Sequence, residues 1–178
     1  QHGGGFYVTG NAAYVNVQGA QVIGNTANSG GGGIAESGSV VNLSAGKICE
    51  NKATGSGAGL YISTDCTVNM TGGAMDQNEA ASTGGAVYHL GSTGNYSGGS
   101  VSGNTAKNGG ALSGSLRVRN NTNIPTLVTI SGEAVFSGNT ASSNAGTIYI
   151  TGEGSTVKVQ GGTISGGKAK NAGGILAE

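Results

Sequence analysis

Residues 84–112 read GGAVYHLGSTGNYSGGSVSGNTAKNGGAL and contain one complete repeat of the chain followed by the start of the next. The repeat opens with small residues and an apolar one, at Val87 and again at Leu112. It continues through an alternating segment around Tyr96 and a further apolar segment around Val101, with glycine between them. Short apolar segments separated by glycine predict short β-strands rather than helices.

The same unit recurs along the whole chain, about every 27 residues. Its first strand carries an apolar residue at Phe6, Ile34, Leu60, Val87, Leu112, Ile148 and Ile175. Its second strand contains Val15, Val41, Val68, Gly94, Val128 and Val157. Its third strand is centred on Val22, Ile48, Met75, Val101, Val135 and Ile164, and a closing alanine follows at Ala27, Ala53, Ala80, Ala106, Ala141 and Ala169.

These segments have no hairpin turn signals between them, so each strand is expected to pair with its equivalent one turn, or rung, away at about 4.8 Å. Like residues then stack in columns, and the apolar columns fill the interior. The sequence predicts an all-β fold, a parallel β-helix (single-stranded β-solenoid) with about six to seven rungs of three short strands. It forms a single domain over residues 1–178.

An asparagine column follows the third strand, at Asn25, Asn51, Asn78, Asn104 and Asn139. A stacked side-chain amide can donate to its copy on one side and accept from its copy on the other. We therefore interpret the column as a structural asparagine ladder. Gly167 takes this position in the last full repeat, which indicates that the ladder is not indispensable at that end.

Three segments resemble the GGA[ILV] and FxxN repeats of chlamydial polymorphic membrane proteins: Gly84-Gly85-Ala86-Val87, Gly109-Gly110-Ala111-Leu112 and Phe136-Ser137-Gly138-Asn139. Relaxed forms extend the resemblance over essentially the whole chain. It implies a right-handed parallel β-helix of the passenger type, secreted and exposed on a bacterial surface, and used for adhesion or assembly. Function inferred in this way is an analogy, because such motifs are mainly architectural.

The composition argues against several classes of partner. Charged residues make up 9% of the chain and sum to a net charge of +0, so the basic surface that binds nucleic acid or an anionic membrane is lacking. No apolar run reaches the roughly 20 residues of a membrane-spanning helix. His2 and His89 have no cysteine or aspartate at ligand spacing, so we predict no metal site and no cofactor.

Many β-helix proteins cleave polysaccharides, and glycoside hydrolysis requires paired carboxylates. Acidic residues gather in one place, at Glu50, Asp76 and Glu79, but Lys47 and Lys52 are their neighbours, which favours a solvated corner. We therefore expect no enzymatic activity, with polysaccharide binding or cleavage as the alternative. An ice-binding surface is a further alternative, although it would need a regular threonine column, and the column here reads Thr26, Lys52, Glu79, Thr105, Thr140 and Lys168.

Outward-facing tyrosines provide one candidate contact surface. Each follows an inward apolar residue of the first strand, so alternation turns it outward: Tyr7, Tyr61, Tyr88 and Tyr149. Exposed tyrosine suits glycan stacking or a host surface protein. Shielding of the strand by a β-favouring residue is an equally good interpretation.

Asparagines on the second strand form sequons for N-glycosylation, and a fourth sequon lies in an insertion: Asn42, Asn69, Asn95 and Asn120. Such matches also arise by chance in a chain rich in Ser, Thr and Asn. Their use would require a glycosylating producer.

One repeat is 36 residues long, and the extra length predicts an inserted loop at residues 113–126. The loop carries the two arginines of the chain, Arg117 and Arg119. Insertions on solenoids often form the contact face, so we predict a specific partner contact here.

The two cysteines are expected to be free thiols, with Cys66 facing inward and Cys49 facing outward. Neither end of the stack carries an evident polar cap, which solenoids need to protect unpaired edges. We expect both ends to be covered by copies of the chain or by flanking rungs of a longer chain. Two hypotheses follow: an extracellular fibre subunit that stacks end to end, or a module of a cell-surface adhesin.

Overall fold

The computed structural model describes residues 3–178, which form 22 β-strands. Twenty of them make three walls of a coil of about six turns, and the other two form a separate hairpin. The strands of each wall pair in parallel with their equivalents one rung above and below. The predicted all-β parallel β-helix is therefore confirmed. No helix occurs among residues 3–178, and hence none that is long and apolar enough to cross a membrane.

The first wall has seven strands: β1 (Phe6–Thr9), β4 (Gly33–Glu36), β7 (Leu60–Ser63), β10 (Val87–Leu90), β13 (Leu112–Ser115), β19 (Ile148–Thr151) and β22 (Ile175–Ala177). The second wall contains β2 (Tyr14–Ile23), β5 (Val40–Cys49), β8 (Thr67–Asp76), β11 (Thr93–Ser102), β16 (Leu127–Ile130) and β20 (Thr156–Val159), continued in the last two full rungs by β17 (Val135–Ser137) and β21 (Thr163–Ser165). The third wall contains β3 (Thr26–Ala27), β6 (Lys52–Ala53), β9 (Glu79–Ala80), β12 (Thr105–Asn108) and β18 (Thr140–Asn144).

The second and third predicted strands are joined in the first four rungs into single ten-residue strands. Register shifts interrupt the pairing halfway along, for example between Tyr96 and Ser100. A column of glycines with positive φ lies at this point, at Gly19, Gly46, Gly73 and Gly99. Glycine adopts this backbone conformation without a steric penalty, so the chain bends here while the ladder continues on both sides.

The register corrects one position of the first strand. Gly33, and not Ile34, stacks between Phe6 and Leu60 in the inward column, while Ile34 follows Tyr7 in the outward column. The reason is steric, because a side chain at Gly33 would collide with the Phe6 ring. A large residue in one rung is thus accommodated by the smallest residue in the next.

The third strand also differs by one position. Phe136, and not Val135, stacks on Val101 and Ile164, and its side chain is fully buried. Val135 is instead 37% exposed. The spacing of three residues between the apolar position and the ladder asparagine, as from Phe136 to Asn139, holds in this rung as in the others.

The inner asparagine ladder, formed by Asn25, Asn51, Asn78, Asn104 and Asn139, runs along a corner of the coil. Asn78 donates its backbone N–H and one side-chain N–H to Oδ1 of Asn104, at 2.9 and 3.0 Å. Its second side-chain N–H reaches back 2.9 Å to the carbonyl of Ile48. Each buried amide therefore links its own rung to the rung before and the rung after.

A polar pair lies within the otherwise apolar interior. His89 and Tyr96 are both fully buried, and His89 Nε2 lies 2.8 Å from the Tyr96 hydroxyl. The other ring nitrogen, Nδ1, lies 2.8 Å from Ser92 Oγ. Gly94 stands in the valine column because a Cβ there would come within 2.8 Å of both His89 and Tyr96. Burial lowers the pKa of His89 to about 3, so the ring is neutral at physiological pH.

Both cysteines are buried free thiols. Cys66 lies in the interior cluster, with Ser39 Oγ at 3.5 Å from its sulfur. Cys49, which is predicted to face outward, is only 6% exposed. It lines a shallow groove of about 300 Å³ with Lys47 and Asp76, and burial raises the pKa of its thiol.

The two ends of the stack differ in outline. On the first wall the last strand is β22, the seventh, whereas the main path of the second wall stops at its sixth strand, β20. Val159 on β20 and Ile175 on β22 are 51% and 38% exposed.

Candidate functional site

The four outward tyrosines lie in one column of the first wall. The column reads Tyr7, Ile34, Tyr61, Tyr88, Ser113, Tyr149 and Leu176, so the tyrosine edge is interrupted by Ile34, Ser113 and Leu176. The rings of Tyr61 and Tyr88 are neighbours, with centroids 5.3 Å apart and planes tilted by 47°. They form a pair of adjacent aromatic rings on this wall.

Three of the tyrosine hydroxyls reach to the following rung. Tyr7 donates to Glu36 Oε2 at 2.9 Å, and Tyr149 donates to Glu178 Oε2 at 3.0 Å. The Tyr88 hydroxyl lies 2.8 Å from Ser115 Oγ. The hydrogen bond to Glu36 raises the pKa of Tyr7, whereas partial burial raises the pKa of Tyr61. These contacts connect neighbouring rungs on the outside of the wall.

The insertion forms an antiparallel hairpin of β14 (Arg117–Arg119) and β15 (Thr122–Ile124). Asn120 and Asn121 make its two-residue turn with φ of 49° and 60°, the positive values of a type I′ turn. Ser113–Ser115 pair with Tyr88–Leu90 as part of β13, so the insertion begins after this strand and not at residue 113.

The hairpin packs back against the first wall and encloses a groove of about 250 Å³. It is lined by Glu36, Ser37, Ser63, Thr64, Arg117 and Arg119, and we call it the arginine groove. Arg117 donates from Nη1 to Ser63 Oγ at 3.3 Å. Its Nε is buried and has no hydrogen-bond partner among the described residues. The groove therefore presents a fixed guanidinium above a floor of hydroxyl groups.

The floor itself is buried and polar. Ser63 and Thr64 are only 3% and 8% exposed, and their hydroxyl oxygens lie 3.0 Å apart. Thr64 has a φ of 48°, because the chain turns a corner here after β7. Arg119, at the opposite end of strand β14 from Arg117, is exposed and lies at the rim of the groove.

The sequon asparagines of the second wall form an outer asparagine ladder together with Asn16. Asn42 donates to Asn16 at 2.8 Å, Asn69 to Asn42 at 3.0 Å, and Asn95 to Asn69 at 2.9 Å, always from Nδ2 to Oδ1. The fourth sequon asparagine, Asn120, lies apart at the exposed hairpin turn. Use of these four sequons stays a prediction.

The acidic residues that gather in the sequence have separate partners in the structure. Asp76 accepts from the backbone and side chain of Ser102, at 3.2 and 2.7 Å. Glu79 forms an ion pair with Lys52 at 3.1 Å on the exposed third wall. Glu50 lines the groove beside Cys49. Among residues 3–178 no group of three or more His, Cys, Asp or Glu side chains is arranged to hold a metal ion, and His2 lies outside these residues.

Two elements of the site escaped the sequence analysis. Ser63 and Thr64 join the arginine groove only because the hairpin folds back over them, a contact across 54 residues in the case of Ser63. The hairpin itself had a readable signal, since two consecutive asparagines between polar strand residues favour a type I′ turn.

No family model, curated protein or solved structure matches the chain. The resemblance to the repeats of chlamydial polymorphic membrane proteins therefore rests on the quoted motifs and on the parallel β-solenoid that they build.

Proposed function

We propose that this protein is a structural and adhesive β-solenoid of the cell exterior, a module of a longer surface adhesin that displays its first wall for binding. The parallel β-solenoid fits a structural or adhesive role in general. The observation that carries the proposal is the unbroken stacking of its columns: the second-wall column from Val15 to Val157 pairs through all six rungs. Such a stack is stiff and exposes the same surface rung after rung.

The contacts of the acidic residues favour a binding role over polysaccharide cleavage. A general acid must be free to deliver its proton to the leaving oxygen, with a second carboxylate placed across the bond. Asp76 is held by Ser102, and Glu79 by Lys52. The exposed aromatic and arginine side chains of the first wall are groups that bind ligands.

Two measurements test this proposal. Negative-stain imaging and light scattering of the 178-residue chain are expected to show monomers or short irregular oligomers, and long filaments would favour the fibre subunit instead. Beads coated with the chain are expected to be retained under flow on polysaccharide or matrix-protein surfaces, beyond beads coated with an inert protein. Equal retention of both kinds of bead would contradict the adhesive role.

A further inference from the structure

The positive charge of the arginine groove is only partly balanced, because Arg117 and Arg119 share the groove with a single carboxylate, that of Glu36. In the described part of the chain, one ion pair has its nitrogen and oxygen within 4 Å of each other, that of Lys52 and Glu79. Neither residue lines the groove. Glu36 stands at the groove, but its Oε2 accepts the hydroxyl of Tyr7. Two guanidinium groups thus face a groove with one rim carboxylate, on a chain whose charged residues amount to 9%.

The orientation of Arg117 is fixed before any ligand arrives. Its Nη1 donates to Ser63, its Nε is buried without a partner, and the hairpin strand β14 is paired along its length with β15. An arginine held in this way can present its planar fork to a carboxylate with little further loss of side-chain freedom.

The surroundings of the guanidinium are those of a sugar site. The Tyr61 ring stands two residues before Ser63 on the same strand and lies against Tyr88. Aromatic faces pack against pyranose rings, and the hydroxyls of Ser63 and Thr64 can pair with sugar hydroxyls. The volume of about 250 Å³ lies just below the roughly 300–1,000 Å³ of enclosed small-molecule pockets, which suits one or two units of a chain crossing the surface.

We propose that the arginine groove binds a uronate unit of an acidic polysaccharide, with Arg117 and Arg119 on its carboxylate and Tyr61 against its ring. This inference rests on the proposed adhesive role and names the ligand class for it. Since the contact is between opposite charges at a solvent-facing groove, binding weakens as salt is added.

Calorimetric titration with a glucuronate-containing hexasaccharide of hyaluronan tests the proposal, with its methyl ester as the matched neutral ligand. The parent chain is expected to bind the acid form and to lose at least about tenfold in affinity for the ester, the scale of one charge-assisted hydrogen bond. Dextran sulfate and a polyglutamate peptide complete the panel. Binding of either one as tightly as the uronate sugar would overturn the assignment to a carboxylate-bearing saccharide.

Variants locate the site. Arg119 is exposed at the end of a strand, so the variant Arg119→Gln should fold normally. Its affinity for the acid hexasaccharide should fall about tenfold. Lys158→Gln, an exposed cation on the second wall, is the matched control and should bind like the parent. Glu36→Gln removes a rim carboxylate, so it should bind the acid form more tightly. Unchanged affinity in both Arg119→Gln and Arg117→Gln would overturn the proposal.

The outcomes also separate this inference from the adhesive role. If beads coated with the chain adhere to surfaces while the parent chain binds no acidic saccharide in solution, the adhesive role stands and the assignment of the groove falls. If the beads adhere to nothing, the adhesive role itself falls.

Discussion

The inner and the outer asparagine ladders stack the same side chain in the same rungs but differ in burial and bonding. In the third rung, Asn78 of the inner ladder is fully buried, whereas Asn69 of the outer ladder is partly exposed. The side chain of Asn78 donates two hydrogen bonds and that of Asn69 donates one, and Asn78 also donates its backbone N–H to the ladder. The bond between ladder asparagines runs in opposite directions, since Asn78 donates to the asparagine of the following rung and Asn69 to that of the preceding one.

The difference shows that stacking alone does not make an amide structural. An exposed amide that loses its neighbour can bond to water, whereas a buried one leaves unpaired groups behind. The inner ladder therefore holds the rungs together. The outer ladder is a regular surface whose side chains can be substituted with little loss of stability. Like the first-wall tyrosines and the arginine groove, it faces outward.

The largest effect is expected for Asn78→Ala. It leaves the backbone and side-chain N–H groups of Asn51 without their acceptor and the carbonyl of Ile48 without its donor. At about 1–3 kcal/mol for each buried unpaired group, the free energy of unfolding should fall by roughly 3–5 kcal/mol. Urea denaturation followed by circular dichroism measures it, and a loss below about 1 kcal/mol would remove the distinction between the ladders.

A second prediction extends the comparison to the buried His89. Its folded pKa of about 3 lies below its ordinary value of 6.5, so below pH 6.5 the unfolded chain takes up a proton that the folded chain does not. Stability is therefore retained above pH 6.5 and lost toward pH 3, by about 1.4 kcal/mol per pH unit.

Denaturant unfolding of the parent and of His89→Gln between pH 7 and 4 measures this contribution. The two curves should converge as the pH falls, because the variant lacks the titrating ring. Parallel curves would show that His89 is not kept neutral by burial.

The third prediction concerns the space around His89. Gly94→Ala places a Cβ within 2.8 Å of His89 and Tyr96, so it should cost about 1–3 kcal/mol in stability. Gly174→Ala is the matched control, because a Cβ there meets no atom within 4 Å. Melting temperatures of the two variants provide the comparison, and equal values would contradict the packing of the polar pair.

The smallest effect is expected for Asn69→Ala, the outer counterpart of Asn78 in the same rung. Its amide oxygen and nitrogen face solvent in part, so the change should stay within about 0.5 kcal/mol. The same urea experiment measures it. A loss as large as that of Asn78→Ala would mean that the outer ladder also holds the rungs.

The columns explain how much of this fold could be predicted. Residues that recur in most rungs, such as the valines from Val15 to Val157, fix the strands because parallel stacking places like residues on like. The errors at Ile34 and Val135 arise where one rung departs from the pattern. There, packing with the neighbouring rung determines the register, as the Phe6 ring does over Gly33.

The site was less accessible to sequence analysis than the fold. Arg117 and Arg119 are conspicuous in a chain with few charges, but the direction in which the hairpin folds is a tertiary property. The floor of Ser63 and Thr64 becomes part of the groove through contacts between distant segments. The polar role of Tyr96 is hidden for a similar reason, since it occupies an apolar column and only the structure pairs it with His89.

Amide hydrogen exchange by NMR tests most directly whether the inner ladder holds the stack. The backbone N–H groups of Asn51, Asn78 and Asn104 each donate to the side-chain oxygen of the next ladder asparagine, at 2.9 to 3.1 Å. We predict that they exchange only through global unfolding, as slowly as the central strands. Exchange as fast as that of the backbone N–H groups of Asn120 and Asn121, in the exposed hairpin turn, would contradict a structural role for the inner ladder.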